Sequence, residues 1–306
     1  MSIIDALNNS KVCVLLSTYN GEKYIKEQLE SLYSQEGVSI TLLVRDDGSS
    51  DSTCSVLDVE QGAGRLTWYT GENLKPAFSF WNLLQKAPDS PFYAFCDQDD
   101  VWDNDKLKVA VDKLVSAGDM PALYFCQTRL VDASLNEIES VKISPLLTYD
   151  EALIYHFVTG CTMVINSAMR EVLLRYTPEF IRMHDIWIYD VAQAVGAKVF
   201  FDSVPHISYR QHGGNVIGQA NSFKAVWKAR VERIKKDKCI RSRLAKELLN
   251  GYSDVMSSKN LLLTKMAANY KDNFASWMKL LFTGKLKCSP FSINVTSKIA
   301  ILLRIF

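Results

Sequence analysis

Four short apolar runs, each ending in a polar loop, constrain this chain more than any other feature. They are "KVCVLLS" (Lys11–Ser17), "ITLLVR" (Ile40–Arg45), "LTWYT" (Leu66–Thr70) and "FYAFC" (Phe92–Cys96). All have the length and apolar character of strands. Segments of helical period lie between them. Glu22–Gln35 puts Ile25, Leu29 and Leu32 on one face. Ser50 or Asp51 caps a helix reaching about Glu60, and Pro76 opens one reaching about Lys86. A fourth helix is expected near Asn104–Ala117. This alternation predicts a parallel sheet covered by helices, with the ligand site beyond the carboxyl ends of the strands.

Those ends share a character. The first strand runs into "STYNGEKY", the second into "RDDGSSDS", the third into "GENLKPAFSFWN" and the fourth into "CDQDDVW". In a parallel sheet all four loops meet on one rim. At the last of them Asp97, Asp99 and Asp100 crowd together, and like charges that close need a positive partner. Asp97 and Asp99 are two positions apart, so in extended backbone they project the same way. Hard oxygen ligands suit Mg²⁺ or Mn²⁺, which commonly share their coordination with phosphates. An acidic helix start is the other reading of this run, and we take it for Asp103 and Asp105. In the second loop Asp46 and Asp47 suit an Asx turn completed by Gly48. A carboxylate there also suits a base N–H or a ribose hydroxyl. The chain has no GxxxxGK[ST] phosphate loop, and no GxGxxG follows the first strand.

Charge is unevenly spread. Residues 221–306 carry 18 Lys and Arg against 5 Asp and Glu, although the whole chain is balanced at 35 against 34. An acidic body, residues 1–220, is therefore expected to precede a basic helical region, residues 221–306. In that region Phe223, Val226, Trp227, Val231 and Ile234 keep helical spacing among basic residues. "FASWMKLLFTGKLK" and "SKIAILLRIF" mix aromatics, leucines and lysines. Such composition suits amphipathic helices on an anionic membrane surface, and also suits a helical cap or a dimer interface. The excess comes without a nucleic-acid motif, so no nucleic acid is expected. No apolar run approaches the roughly 18 residues of a membrane span. The first residues lack a signal peptide's basic start. Seven scattered cysteines without a CxxC pair read as reduced, mostly buried thiols. A cytoplasmic protein is expected, peripheral on the inner face of the cytoplasmic membrane.

The quoted loops, with "FVTGCTMVIN" (Phe157–Asn166), "MHDIWIYDVA" (Met183–Ala192) and "YRQHGGNVIG" (Tyr209–Gly218), resemble the family 2 inverting glycosyltransferases of GT-A fold. The nearest pattern is the bacterial rhamnosyltransferase-like subgroup of surface-polysaccharide synthesis. The likeness covers about residues 11–218. It implies a nucleoside-diphosphate sugar donor, dTDP-L-rhamnose with UDP-galactose or UDP-glucose as competitor, and a lipid-linked glycan acceptor. It assigns Thr18, Tyr19, Asn20 and Glu22 to the nucleotide loop, and Asp46, with Asp47 beside it, to the base or ribose. Asp97 and Asp99 become the DxD motif flanking Gln98, with Asp99 the principal Mn²⁺ or Mg²⁺ ligand. Asp185 becomes the base that takes the acceptor's proton; from the residues alone, a helix N-cap fits equally. Ile186 departs from the Trp often found there. His212, with metal or phosphate, and Arg210, with the diphosphate, complete the implied set; a lone histidine is otherwise structural. Two other classes compete. A sugar-1-phosphate nucleotidyltransferase would carry a glycine-rich, basic phosphate loop, which the first strand lacks. A non-catalytic assembly partner would not need Asp46, Asp97, Asp99 and Asp185 together.

Overall fold

The computed structural model describes residues 10–139, 142–211, 239–289 and 291–306. Among them seven strands form one sheet: β1 (Lys11–Thr18), β2 (Ser39–Asp46), β3 (Thr67–Thr70), β4 (Phe92–Cys96), β6 (Ala122–Cys126), β8 (Val164–Asn166) and β9 (Lys198–Asp202), in the order β3-β2-β1-β4-β8-β6-β9. The first four strands are mutually parallel, and β8 runs antiparallel to β4 and β6. The register sets Thr18 against Asp46 and Leu16 against Cys96, so the loops after β1, β2 and β4 leave one edge. A second, small sheet joins β5 (Val101–Trp102), β10 (Ile207–Arg210) and β7 (Arg129–Val131).

Strand alternation feeds two apolar layers. Val12, Val14 and Leu16 face one, with Ile25, Leu29 and Leu32 of α1 (Ile25–Tyr33), Leu57 of α2 (Thr53–Gly62) and Leu107, Val111 and Leu114 of α4 (Lys106–Val115). Cys13 and Leu15 face the other, with Phe80 and Leu84 of α3 (Lys75–Lys86) and Trp187, Ile188 and Val191 of α7 (His184–Val195). Burial on both faces explains why β1 reads as an unbroken apolar run. Two short helices, α5 (Tyr149–Ala152) and α6 (Ser167–Leu174), complete this side.

After residue 238 come α8 (Ile240–Tyr252), α9 (Ser258–Ala268), α10 (Phe274–Phe282) and α11 (Phe291–Leu302). Leu244, Leu248, Tyr252, Leu263, Leu280 and Ile301 join the same apolar layer as α3 and α7. Polar ties reinforce the junction. His156 bridges Asp190 at 2.7 Å and Arg241 at 2.8 Å, and Tyr176 donates to Glu247 at 2.8 Å. The apolar spacing seen in "SKIAILLRIF" is thus partly satisfied by the body. The amphipathic stretch Phe223–Ile234 lies outside the described residues. No described helix is long and apolar enough to cross a membrane.

Differences from the sequence reading are local. The third strand begins at Thr67, α4 occupies Lys106–Val115 inside the expected span, and a short β5 precedes it. Asp103 does not serve a helix start: its carboxylate takes two bonds from Arg129. Asp105 occupies the N-cap of α4, but its carboxylate pairs with His206 at 3.0 Å.

Candidate active site

The loop after β1 is held by the loops after β2 and β4. The Thr18 hydroxyl donates to Gln98 Oε1 at 2.6 Å, Tyr19 N donates to the same oxygen at 2.8 Å, and Gln98 Nε2 donates back to the Tyr19 carbonyl at 3.2 Å. Gly21 allows this closure: a Cβ there would collide with the Gln98 carboxamide and lie 2.8 Å from Thr18 Oγ1. Asn20, at φ 50°, donates from its amide to Ser49 Oγ and accepts from Ser50 N, both at 2.8 Å. Glu22 accepts from Ser52 N at 2.9 Å. Asn20 and Glu22 therefore brace one loop against the next, and the residues lining the cleft do not include them.

The second loop reverses the roles of its two aspartates. Asp46 is fully buried, and its carboxylate accepts from Gly48 N, Ser49 N, Ser49 Oγ and Thr70 Oγ1. That is an Asx turn with its acceptors occupied, so the base-or-ribose contact expected of Asp46 does not fit. Asp47, paired with Arg45 at its back, lines the cleft instead.

The cleft has a volume of about 420 Å³. Thr18, Tyr19, Asp47, Gln98, Asp97, Asp99 and Asp185 all line it, so most of the expected residues are brought together. Sequence reading gave no role to Asn73, Lys75 and Phe80, which arrive from the loop and helix after β3. The signals for them were their place at a strand end and the resemblance of "GENLKPAFSFWN" to the family. Thr159 and Gly160 close the far side. Gly160–Thr162 form a 3₁₀ turn ahead of β8.

Asp100, crowded with Asp97 and Asp99 in the sequence but given no ligand role there, is buried among them. It is 1% exposed; Oδ1 accepts from Arg210 N at 3.1 Å, the Cys161 thiol lies against the carboxylate, and among the described residues Oδ2 has no hydrogen-bond partner. One carboxylate oxygen each from Asp97 and Asp100 and the Cys161 sulfur lie within 4.8 Å of one another. Burial, then the charges of Asp100, Asp99 and Asp185, push the Asp97 carboxyl well above its ordinary value. Burial and the neighbouring Asp99 raise Asp100 to about 7. Carboxylates this destabilised, one with an orphaned oxygen, fit a hard divalent cation. Cys161 is a poor nucleophile, because burial keeps its thiol protonated.

Arg210 does not point at the cleft. It is 2% exposed, and its guanidinium donates to the Asp99 carbonyl at 2.9 Å, to the Ala133 carbonyl at 2.6 Å and to Glu27. It shapes the acidic turn from behind, which corrects the expected diphosphate role. His212 lies outside the described residues.

Asp185 is the second residue of α7. The N-cap is Met183, so the capping reading of Asp185 fails. Burial raises the Asp185 carboxyl to about 6, against hydrogen bonds from the Ile186 and Gly160 backbone that stabilise its anion. His184 beside it is 4% exposed, stacks on Phe80 at 3.9 Å between ring centres, and is held neutral by burial. A Cβ on Gly160 would collide with the His184 ring, 2.7 Å from Cε1, so that close approach requires glycine. The ring packing sets where Asp185 enters the cleft.

A mostly parallel sheet thus carries acidic strand-end loops, faced across one cleft by a carboxylate at a helix start. Comparisons with known proteins identify the family. Residues 13–174 match the model of glycosyl transferase family 2, and the chain belongs to that family. It is 29% identical over 242 residues to the dTDP-rhamnosyl transferase RfbG of Shigella flexneri, covering 70% of this chain and 77% of that one. It is 26% identical over 179 residues to the Escherichia coli UDP-Glc:alpha-D-GlcNAc-diphosphoundecaprenol beta-1,3-glucosyltransferase WfgD, covering 58% and 68%. Among solved structures it resembles S. aureus TarS 1-349 in complex with UDP-GlcNAc, with a TM-score of 0.60 at 18% identity over 96% of this chain and 88% of that one. The fold is GT-A, and the rhamnosyltransferase-like resemblance read from the motifs agrees with the curated relatives.

Proposed function

We propose that this protein is an inverting glycosyltransferase. It moves a sugar from a nucleoside-diphosphate donor to a hydroxyl of a lipid-linked bacterial glycan at the inner face of the cytoplasmic membrane. The observation that carries the reading is one cleft holding the raised carboxyl of Asp185 opposite Asp97 and Asp99. Asp185 takes the proton of the acceptor hydroxyl as its oxygen bonds to the anomeric carbon. The bond from that carbon to the diphosphate oxygen breaks on the opposite side, so configuration inverts. Asp47, Thr18, Tyr19 and Gln98 supply the nucleotide side. Tyr19, half exposed at the rim, offers its ring to the base.

Mn²⁺ or Mg²⁺ would be held by Asp97 and Asp99, with Asp100 behind them, and when bound supplies positive charge to the departing diphosphate. Lys75 also lines the cleft and brings a protein cation to it. The rhamnosyl relative supports dTDP-L-rhamnose as donor, and the glucosyl relative, whose acceptor is a diphosphoundecaprenol, supports a lipid-linked acceptor. UDP-glucose or UDP-galactose is the competing donor. The test is a screen of sugar nucleotides with lipid-linked acceptors, read as transfer by mass. Transfer from dTDP-rhamnose supports the reading in full, and transfer from a UDP-hexose moves the donor assignment. Donor turnover by no sugar nucleotide in the presence of either metal ion would refute it.

A further inference from the structure

Among the described residues, the C-terminal helices leave one large apolar surface uncovered. Between α10 and α11 a groove of about 500 Å³ is lined by Leu281, Phe282, Phe291, Val295, Ile299 and Leu302, with almost no polar surface. Phe282 is 72% exposed, Phe291 79% and Leu302 53%. The inner faces of the same helices, through Leu280, Ile293 and Ile301, belong to the core. The two helices therefore have a packed side and a bare side. Soluble surfaces seldom leave several large apolar side chains together without a partner.

Charge identifies that partner. Residues 273–306 contain Lys279, Lys285, Lys287, Lys298 and Arg304 and no Asp or Glu. Lys285 and Lys287 are exposed in the loop joining α10 to α11, between the two bare phenylalanines. Lys298 does another job: its ammonium donates to the carbonyls of Leu281 at 2.6 Å and Thr283 at 2.9 Å, closing the end of α10 beside the groove. A second copy docked face to face would set these cations against their equals. An anionic lipid surface offers apolar chains and opposite charge together.

We infer that the α10–α11 hairpin is the membrane-docking element. Phe282 and Phe291 enter the acyl layer, Lys285 and Lys287 meet anionic headgroups, and the groove receives a lipid chain. The inference deepens the reading of a lipid-linked acceptor and rests on it for its purpose, since it would hold the cleft at the surface carrying that acceptor.

The test uses the full chain and sucrose-loaded vesicles, either phosphatidylglycerol with phosphatidylethanolamine or phosphatidylcholine alone. The protein should sediment with the anionic vesicles, less so as salt rises, and stay in solution with the neutral ones. Phe282→Ser with Phe291→Ser should weaken sedimentation at least tenfold; both side chains are exposed, so the fold should survive. Lys285→Gln with Lys287→Gln should weaken it less and flatten the salt dependence. Three outcomes overturn the inference: no sedimentation at low salt, sedimentation indifferent to the phenylalanine pair, or a self-associated species that the pair dissolves in the absence of lipid binding. Thermal stabilisation by dTDP or UDP with Mn²⁺ is recorded on every variant. It reports the cleft alone, so the membrane inference and the transferase reading fail separately.

Discussion

The rim of the cleft and the α10–α11 surface are built in opposite ways. The rim is polar, acidic and cross-tied. Gln98 holds the β1 loop by three hydrogen bonds, Asp46 fills its own turn, and Arg210 grips the acidic loop from behind. Within the rim burial raises the carboxyls of Asp97, Asp100 and Asp185, and a bound cation would relieve the first two. The α10–α11 surface is apolar, basic and held by packing from one side. The rim specifies geometry, whereas the hairpin needs only area and charge. Substitutions at the rim should therefore change turnover steeply without touching vesicle binding, and substitutions at the hairpin should do the reverse.

The largest effect is expected from Asp99→Ala. It should abolish release of nucleoside diphosphate while leaving the far-ultraviolet circular dichroism and vesicle sedimentation unchanged, and EDTA should do the same to the parent until Mn²⁺ or Mg²⁺ is restored. Full activity in EDTA would remove the metal from the account. Next comes Gly160→Ala. The added methyl pushes on a His184 ring already stacked against Phe80, so Asp185 shifts, and displacements near 1 Å cost on the order of a hundredfold in rate. Steady-state kinetics should show the loss in kcat more than in KM.

A smaller effect concerns stability and pH. Asp97 and Asp100 hold their protons in the folded protein to higher pH than in the unfolded chain, whose carboxyls titrate near 3.8. Between about pH 4 and 7 the native state thus binds more protons, and without metal these two groups make stability fall as pH rises. Asp100→Asn should flatten the fall of Tm with pH, and Mn²⁺ should raise Tm more at pH 7.5 than at pH 5. The smallest effect is at Tyr19. Its ring is half exposed, so Tyr19→Ala should leave Tm nearly unchanged and weaken the donor by about 1 kcal/mol, the low end for stacking on a base.

The rim was legible because its residues are local. Each loop follows its strand within a few positions, so the alternation of runs placed Thr18, Tyr19, Asp97, Gln98 and Asp99 on one edge. The errors fell where a side chain's partner is distant or a turn sets its direction. Asp46 and Asp47 differ by one position, and only the tight turn at Gly48, φ 83°, decides which of them faces the cleft. Arg210 looked like a phosphate ligand because its bonds to Glu27 and Ala133 join segments far apart in sequence. The orphaned oxygen of Asp100 depends on Arg210 and Cys161, which reach it from distant segments. In the C-terminal helices apolar spacing announced amphipathic helices but did not say which face the body covers. Burial of Leu280 and Ile301 beside bare Phe282 and Leu302 supplied that.

The central claim is that the Asp185 carboxylate takes the acceptor's proton. The direct test is nucleoside-diphosphate release by the parent and by Asp185→Asn from pH 5 to 8, with donor and acceptor saturating. The parent's rate should rise through about pH 6, as Asp185 loses its proton, and then level. The Asn variant should bind donor as before, lose about two or more powers of ten in rate and show no inflection near pH 6. A variant turning over near the parental rate, with the same pH profile, would leave Asp185 a structural residue and contradict the mechanism.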